Sequence, residues 1–123
     1  MKTLLIDAIN CLLQKDIGIN QDLLNELEKL KNPKIIVTNA SQEKLENMGF
    51  KELPYEIFTC NGKPNKFKPE YFKNLLNSKN LKPEDCYYLD HKQENLDSAK
   101  KVGIEGYLYT EKSFSFKNFI EKI

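Results

Sequence analysis

Residues 82–104 read KPEDCYYLDHKQENLDSAKKVGI, and this stretch decides how the rest of the chain is read. The run from Cys86 through Tyr87 and Tyr88 to Leu89 is short and has no polar alternation, the pattern of a strand covered on both faces. Asp90 and His91 follow at once, so the strand ends on ionisable groups. Leu96, Ala99 and Val102 then recur at helical spacing, and Gly103 closes the helix. Strand, polar tip and helix in that order make half of a parallel strand–helix–strand unit.

Working outward, the same arrangement recurs. Leu4, Leu5 and Ile6 lead to Asp7, and Ile35, Ile36 and Val37 lead to Thr38 and Asn39. Weaker runs at 57–59 and 107–109 complete five strand candidates. Helical stripes lie between and after them: Leu23, Leu24, Leu27 and Leu30; Leu45 and Met48 behind the cap Ser41; Phe72, Leu75 and Leu76 behind Pro69. Phe116, Phe119, Ile120 and Ile123 give a last helix its expected buried face. This alternation predicts an α/β, Rossmann-like three-layer αβα sandwich around a five-stranded parallel sheet. Short connections and right-handed crossovers put strands one to three on one side and four and five on the other, in the order 5-4-1-2-3. Residues 1–123 are expected to form a single domain.

The net charge of +1 sets up no global field for nucleic acid or an anionic membrane, so neither is expected as a partner. All 19 basic residues are lysine, so anion recognition falls to ammonium and backbone N–H groups. Cys11, Cys60 and Cys86 lack metal-site spacing and read as reduced thiols of a cytoplasmic protein, with Cys11 and Cys86 in the core. The amino-terminal apolar run is broken by Asp7 and Asn10, unlike a signal peptide or membrane span.

In open parallel sheets, sites form beyond the carboxyl ends of the strands. Asp7, Thr38 with Asn39, and Asp90 with His91 fall there, and Lys63, Lys66 and Lys68 lie in the loop ahead of Pro69. Two carboxylates suit a hard cation such as Mg²⁺, a hydroxyl and an ammonium suit phosphate oxygens, and one carboxylate is a candidate to attack phosphorus.

The order of these segments resembles the haloacid dehalogenase-like (HAD) hydrolases over nearly the whole chain. LLIDAINCLL is similar to the first motif, with Asp7 as nucleophile; IIVTNAS to the second, with Thr38, and Asn39 beside it, on phosphate. NKFKPEYF is similar to the lysine-bearing third motif. Counting back from Phe72 without gaps puts Lys66 at the family lysine, with Phe67 where proline is usual; Lys63-Pro64 and Lys68-Pro69 flank it. The segment at 82–104 resembles the fourth motif, with Asp90 as metal ligand ahead of Asn95, Ala99 and Gly103. The resemblance implies Mg²⁺ held by Asp7, the backbone carbonyl of Ile9 and Asp90.

The departures are local. The family's second aspartate, its general acid and base, is Ile9 here; Asn10 and Cys11 replace the usual Gly and Thr, and His91 replaces an acid. Asn10 and His91 are therefore accessory candidates. A missing acid–base group removes roughly 10²–10⁴-fold in rate. P-type ATPases and the dehalogenases also lack it, although a dehalogenase's arginine and cap are missing from this chain. The intervals on either side of Thr38 leave no room for a cap domain. Two readings follow: a Mg²⁺-dependent phosphohydrolase or phosphotransferase acting on a phosphorylated substrate with impaired acid–base catalysis, or a catalytically silent HAD-like domain serving a protein partner.

Overall fold

The computed structural model describes residues 1–123. Strand β1 (Thr3–Asp7) is the middle of the sheet and buried along its whole length. On one side it pairs with β4 (Lys34–Thr38), which pairs with β5 (Glu56–Thr59); on the other with β6 (Cys86–Asp90), which pairs with β7 (Glu105–Leu108). All four pairings are parallel. The five expected strands thus occupy the expected order; only their numbers shift, because β2 (Leu13–Gln14) and β3 (Gly18–Ile19) form an additional antiparallel hairpin after β1.

Alternate residues of β1 enter opposite cores, as the two-residue period of a strand requires. Leu4 and Ile6 join Leu12, Leu27, Leu45 and Phe119 on one face. Leu5 joins Ile35, Tyr71, Phe72, Leu75 and Ala99 on the other. The helices covering these faces begin where local chemistry allows. Asn20 caps α1 (Gln21–Glu28) by accepting the Leu23 N–H, and Ser41 caps α2 (Gln42–Asn47) through the Lys44 N–H. Pro69 opens α3 (Pro69–Lys79), whose left-handed Asn80 ends it. Helix α4 (Gln93–Lys100) follows β6 directly, and Ser115 caps α5 (Phe116–Glu121). No helix is long and apolar enough to cross a membrane.

Two expectations are corrected at the carboxyl end. The last strand begins at Glu105, two residues before the apolar run at 107–109. Gly106 lies inside it because a Cβ there would come 2.7 Å from Leu96 Cδ2 and from the Tyr88 carbonyl oxygen. Its absence lets α4 close on the sheet. In α5 only Phe119 is fully buried, and Ile120 is 41% exposed, because this short helix covers an edge of the sheet. Cys11 and Cys86 lie in the core as expected.

Candidate active site at the carboxyl ends of β1, β4 and β6

Asp7 and Asp90 end neighbouring strands on the same rim, since β1 and β6 run parallel in register from Thr3 opposite Cys86. Thr38 ends the strand on the other side of β1. Asp7 and Thr38, with Ile9, Asn10, Asn39, Lys66 and His91, border an open cavity of about 400 Å³, and Asp90 lies buried behind its wall.

Lys66 is the lysine of its loop that reaches this rim. It is 3% exposed, and its ammonium donates to Asp7 Oδ1, to Asp90 Oδ2 at 3.0 Å and to the Val37 carbonyl at 3.4 Å. Those three acceptors match its three protons. Burial opposes the charge on Lys66, but the two carboxylates outweigh it and hold the ammonium above its ordinary pKa. The sequence assigns Lys66 to phosphate; the structure places it as a bridge between carboxylates.

Asn39 borders the cavity and also makes structural bonds. Its Oδ1 accepts the Lys66 N–H at 2.8 Å and its Nδ2 donates to Asn65 Oδ1 at 3.1 Å, so the amide braces the lysine loop against the end of β4. Thr38 faces the cavity with its hydroxyl oxygen accepting the Ala40 N–H at 3.0 Å, which leaves the hydroxyl proton to donate. Tyr71, on α3, holds that strand end from behind: its hydroxyl accepts the Thr38 N–H and lies within 3.0 Å of the Thr38 carbonyl and 2.8 Å of the Phe58 carbonyl.

Asp90 is enclosed by donors. Tyr88, Lys66 and Asn95 all donate to Oδ2, while Oδ1 accepts the Lys92 N–H at 2.8 Å. Burial would raise this carboxyl, but Lys66, Tyr88 and the Lys92 N–H together hold it below the usual range. His91 Nδ1 meets Asp7 Oδ2 and lies 3.5 Å from Asp90 Oδ1. The bond to Asp7 raises the imidazole above its ordinary pKa, against a smaller opposing effect of burial. Cys11 lies close behind Asp7, yet burial pushes its thiol well up, so it is no competing nucleophile.

The first-motif departures look different in three dimensions. Asn10 has φ 67°, a left-handed conformation that asparagine tolerates and that suits the position of the family's glycine. The turn closes through Leu12 N–H to Asp7 O and Leu13 N–H to Ala8 O. Ile9 borders the cavity and packs partly on the core. No N–H within the chain is bonded to its carbonyl. Lys66 engages Asp7 Oδ1 and Asp90 Oδ2, and one potential ligand atom from each of Asp7, Asp90 and His91 lies within 4.8 Å of the others. Carboxylate and carbonyl oxygens are the donors a hard cation takes, so the residues fit Mg²⁺.

The fold has solved counterparts. A HAD family enzyme from Bacteroides thetaiotaomicron, in complex with magnesium and inorganic phosphate, superposes with a TM-score of 0.74 at 16% identity, over 97% of this chain and 99% of that one. The fold is HAD-like. A predicted HAD-like family hydrolase from Porphyromonas gingivalis also gives 0.74, at 9% identity, over 99% and 97%. In another structure of the Bacteroides enzyme this chain spans 56% of that chain, with 82% of its own length matched, 20% identity and a TM-score of 0.65. No family model matches the sequence, and no curated protein does.

Tyr88 and Tyr71 escaped the sequence reading because one sits in an apolar strand run and the other beside Phe72 on a helix, where each reads as packing. Tyr88→Phe is expected to cost about 2 kcal/mol, the order of a hydrogen bond to a charged group. Urea denaturation should show a lower midpoint at unchanged slope. An unchanged midpoint would mean Lys66, Asn95 and Lys92 suffice for Asp90.

Proposed function

We propose that this HAD-like chain is a Mg²⁺-dependent phosphohydrolase or phosphotransferase with Asp7 as nucleophile. The observation that carries the reading is Asp7 and Asp90 on adjacent strand tips, joined by buried Lys66, with Asp7, Lys66 and Thr38 on an open cavity. Lys66 fixes the orientation of the Asp7 carboxylate. Thr38 offers its hydroxyl proton to a phosphate oxygen, and Lys66 trades one of its present acceptors for another. An oxygen of Asp7 forms the new bond to phosphorus, and the leaving oxygen departs with the electron pair of the broken P–O bond. Water then cleaves the phosphoaspartate. Asp7, Asp90 and the Ile9 carbonyl would hold Mg²⁺, which when bound would supply positive charge to offset that of the phosphate.

Ile9 brings no proton to the leaving oxygen, so acyl phosphates and activated aryl esters are the favoured substrates. The same residue supports a second reading: a silent domain that binds an anion and serves a partner. Acetyl phosphate with Mg²⁺ separates the two. Mass spectrometry should find a hydroxylamine-sensitive phosphate on the Asp7 peptide and none in Asp7→Asn. A wild-type protein that takes no label under these conditions sinks the catalytic reading.

A further inference from the structure

The mouth of the cavity is lined by lysines that play no part in the carboxylate cluster. Lys15 comes from the turn between β2 and β3, Lys44 from α2 and Lys92 from the residue preceding α4, so three separate elements converge on it. All three are exposed, and none has a carboxylate within ion-pair distance; the chain's lysine pairs involve Lys29, Lys66 and Lys79. Asp7 is the only acidic residue on the cavity wall. The neighbouring groove under α1 has the opposite character, with Asp22, Glu26 and Glu111 on its rim and no lysine. Three of the chain's 19 lysines thus meet at the mouth of a cavity whose wall carries a single carboxylate, a local excess of positive charge in a chain of net charge +1.

Resting on the phosphoryl-transfer reading above, we propose that Lys15, Lys44 and Lys92 bind a second anionic group, a carboxylate or a phosphate, on the leaving portion of a small phosphate ester. The reacting phosphate is held by the inner groups at the strand tips. The lysines stand outside them, where the remainder of the substrate emerges from an open cavity. With no arginine in the chain, recognition is by charge and not by a planar fork, so either anion is accepted.

The test compares 4-nitrophenyl phosphate with 3-carboxy-4-nitrophenyl phosphate, which adds one carboxylate to a similar leaving group, and phenyl phosphate with 1,3-phenylene bisphosphate, which adds a second phosphate to an unactivated one. The carboxylated ester and the bisphosphate should both show kcat/KM at least fivefold higher at low salt, with the advantage shrinking as ionic strength rises. Coulomb attraction at about 4 Å in water corresponds to roughly fivefold per lysine, so Lys15→Gln and Lys44→Gln should each narrow the ratio by about that factor. Lys29→Gln, away from the cavity wall and paired with Glu26, should leave the ratio as it is. A wild-type ratio near one, or one that survives both rim substitutions, overturns the inference while leaving the catalytic reading intact. If no ester turns over, calorimetry of the carboxylated ester on Asp7→Asn decides. Binding weakened by the rim substitutions upholds the lysine site without the chemistry; binding indifferent to them overturns the site as well.

Discussion

The Ile9→Asp variant is expected to hydrolyse alkyl phosphate esters at least 10²-fold faster than the parent protein, the lower end of what a positioned general acid and base contributes. Ile9 borders the cavity two residues after Asp7, and the left-handed Asn10 already gives the turn the shape that presents this position. A carboxyl group there reaches the leaving oxygen and, afterwards, the attacking water. The gain on acetyl phosphate should be much smaller, because its leaving group departs with little proton donation. Part of the Ile9 side chain rests on the core, so a stability loss of about 1–3 kcal/mol for the buried polar group is expected alongside. Kinetics on both substrates and a denaturation curve check the two parts separately. A folded variant with no gain on any ester would favour the silent binding domain.

The second large effect is on folding. Lys66→Met should lower stability by about 3–5 kcal/mol, because removing one partner leaves two buried carboxylates facing each other uncompensated. Asp7 is 3% exposed and Asp90 fully buried, so water cannot take over from the ammonium. The double variant Lys66→Met, Asp90→Asn should recover part of the loss. The pH dependence has a definite sign. Asp90 is held below the usual carboxyl range, so its contribution is present above about pH 4 and is lost as the pH falls through the lowered value. Without Lys66 that contribution shrinks, and the acid limb of the stability profile should flatten. Equal stability of wild type and Lys66→Met at pH 7 would contradict the central place given to this ion cluster.

Which features could be read from the chain follows from the range of the forces involved. A strand buried on both faces needs an uninterrupted apolar run, so β1, β4 and β6 are visible in the residues themselves. The weaker Glu105-Gly106 start of β7 is not visible, since glycine there answers to Leu96 and the Tyr88 carbonyl rather than to strand propensity. The two-residue strands of the hairpin are likewise too short to carry a period.

Chain order and the handedness of crossovers were enough to bring Asp7, Thr38 and Asp90 to one rim, because parallel strands put all their carboxyl ends on the same side. What each polar atom does there required the tertiary structure. His91 meets Asp7 across 84 positions, and Lys66 reaches it across 59. Tyr88 and Tyr71 carry their hydroxyls at the far end of side chains that the sequence shows only as apolar bulk. Asn39 braces the lysine loop because Asn65 and the Lys66 N–H come within its reach. Hydrophobic burial acts through local periodicity and leaves its mark along the chain. Hydrogen bonds and ion pairs act over about 3 Å between distant segments, and only folding decides which of them meet.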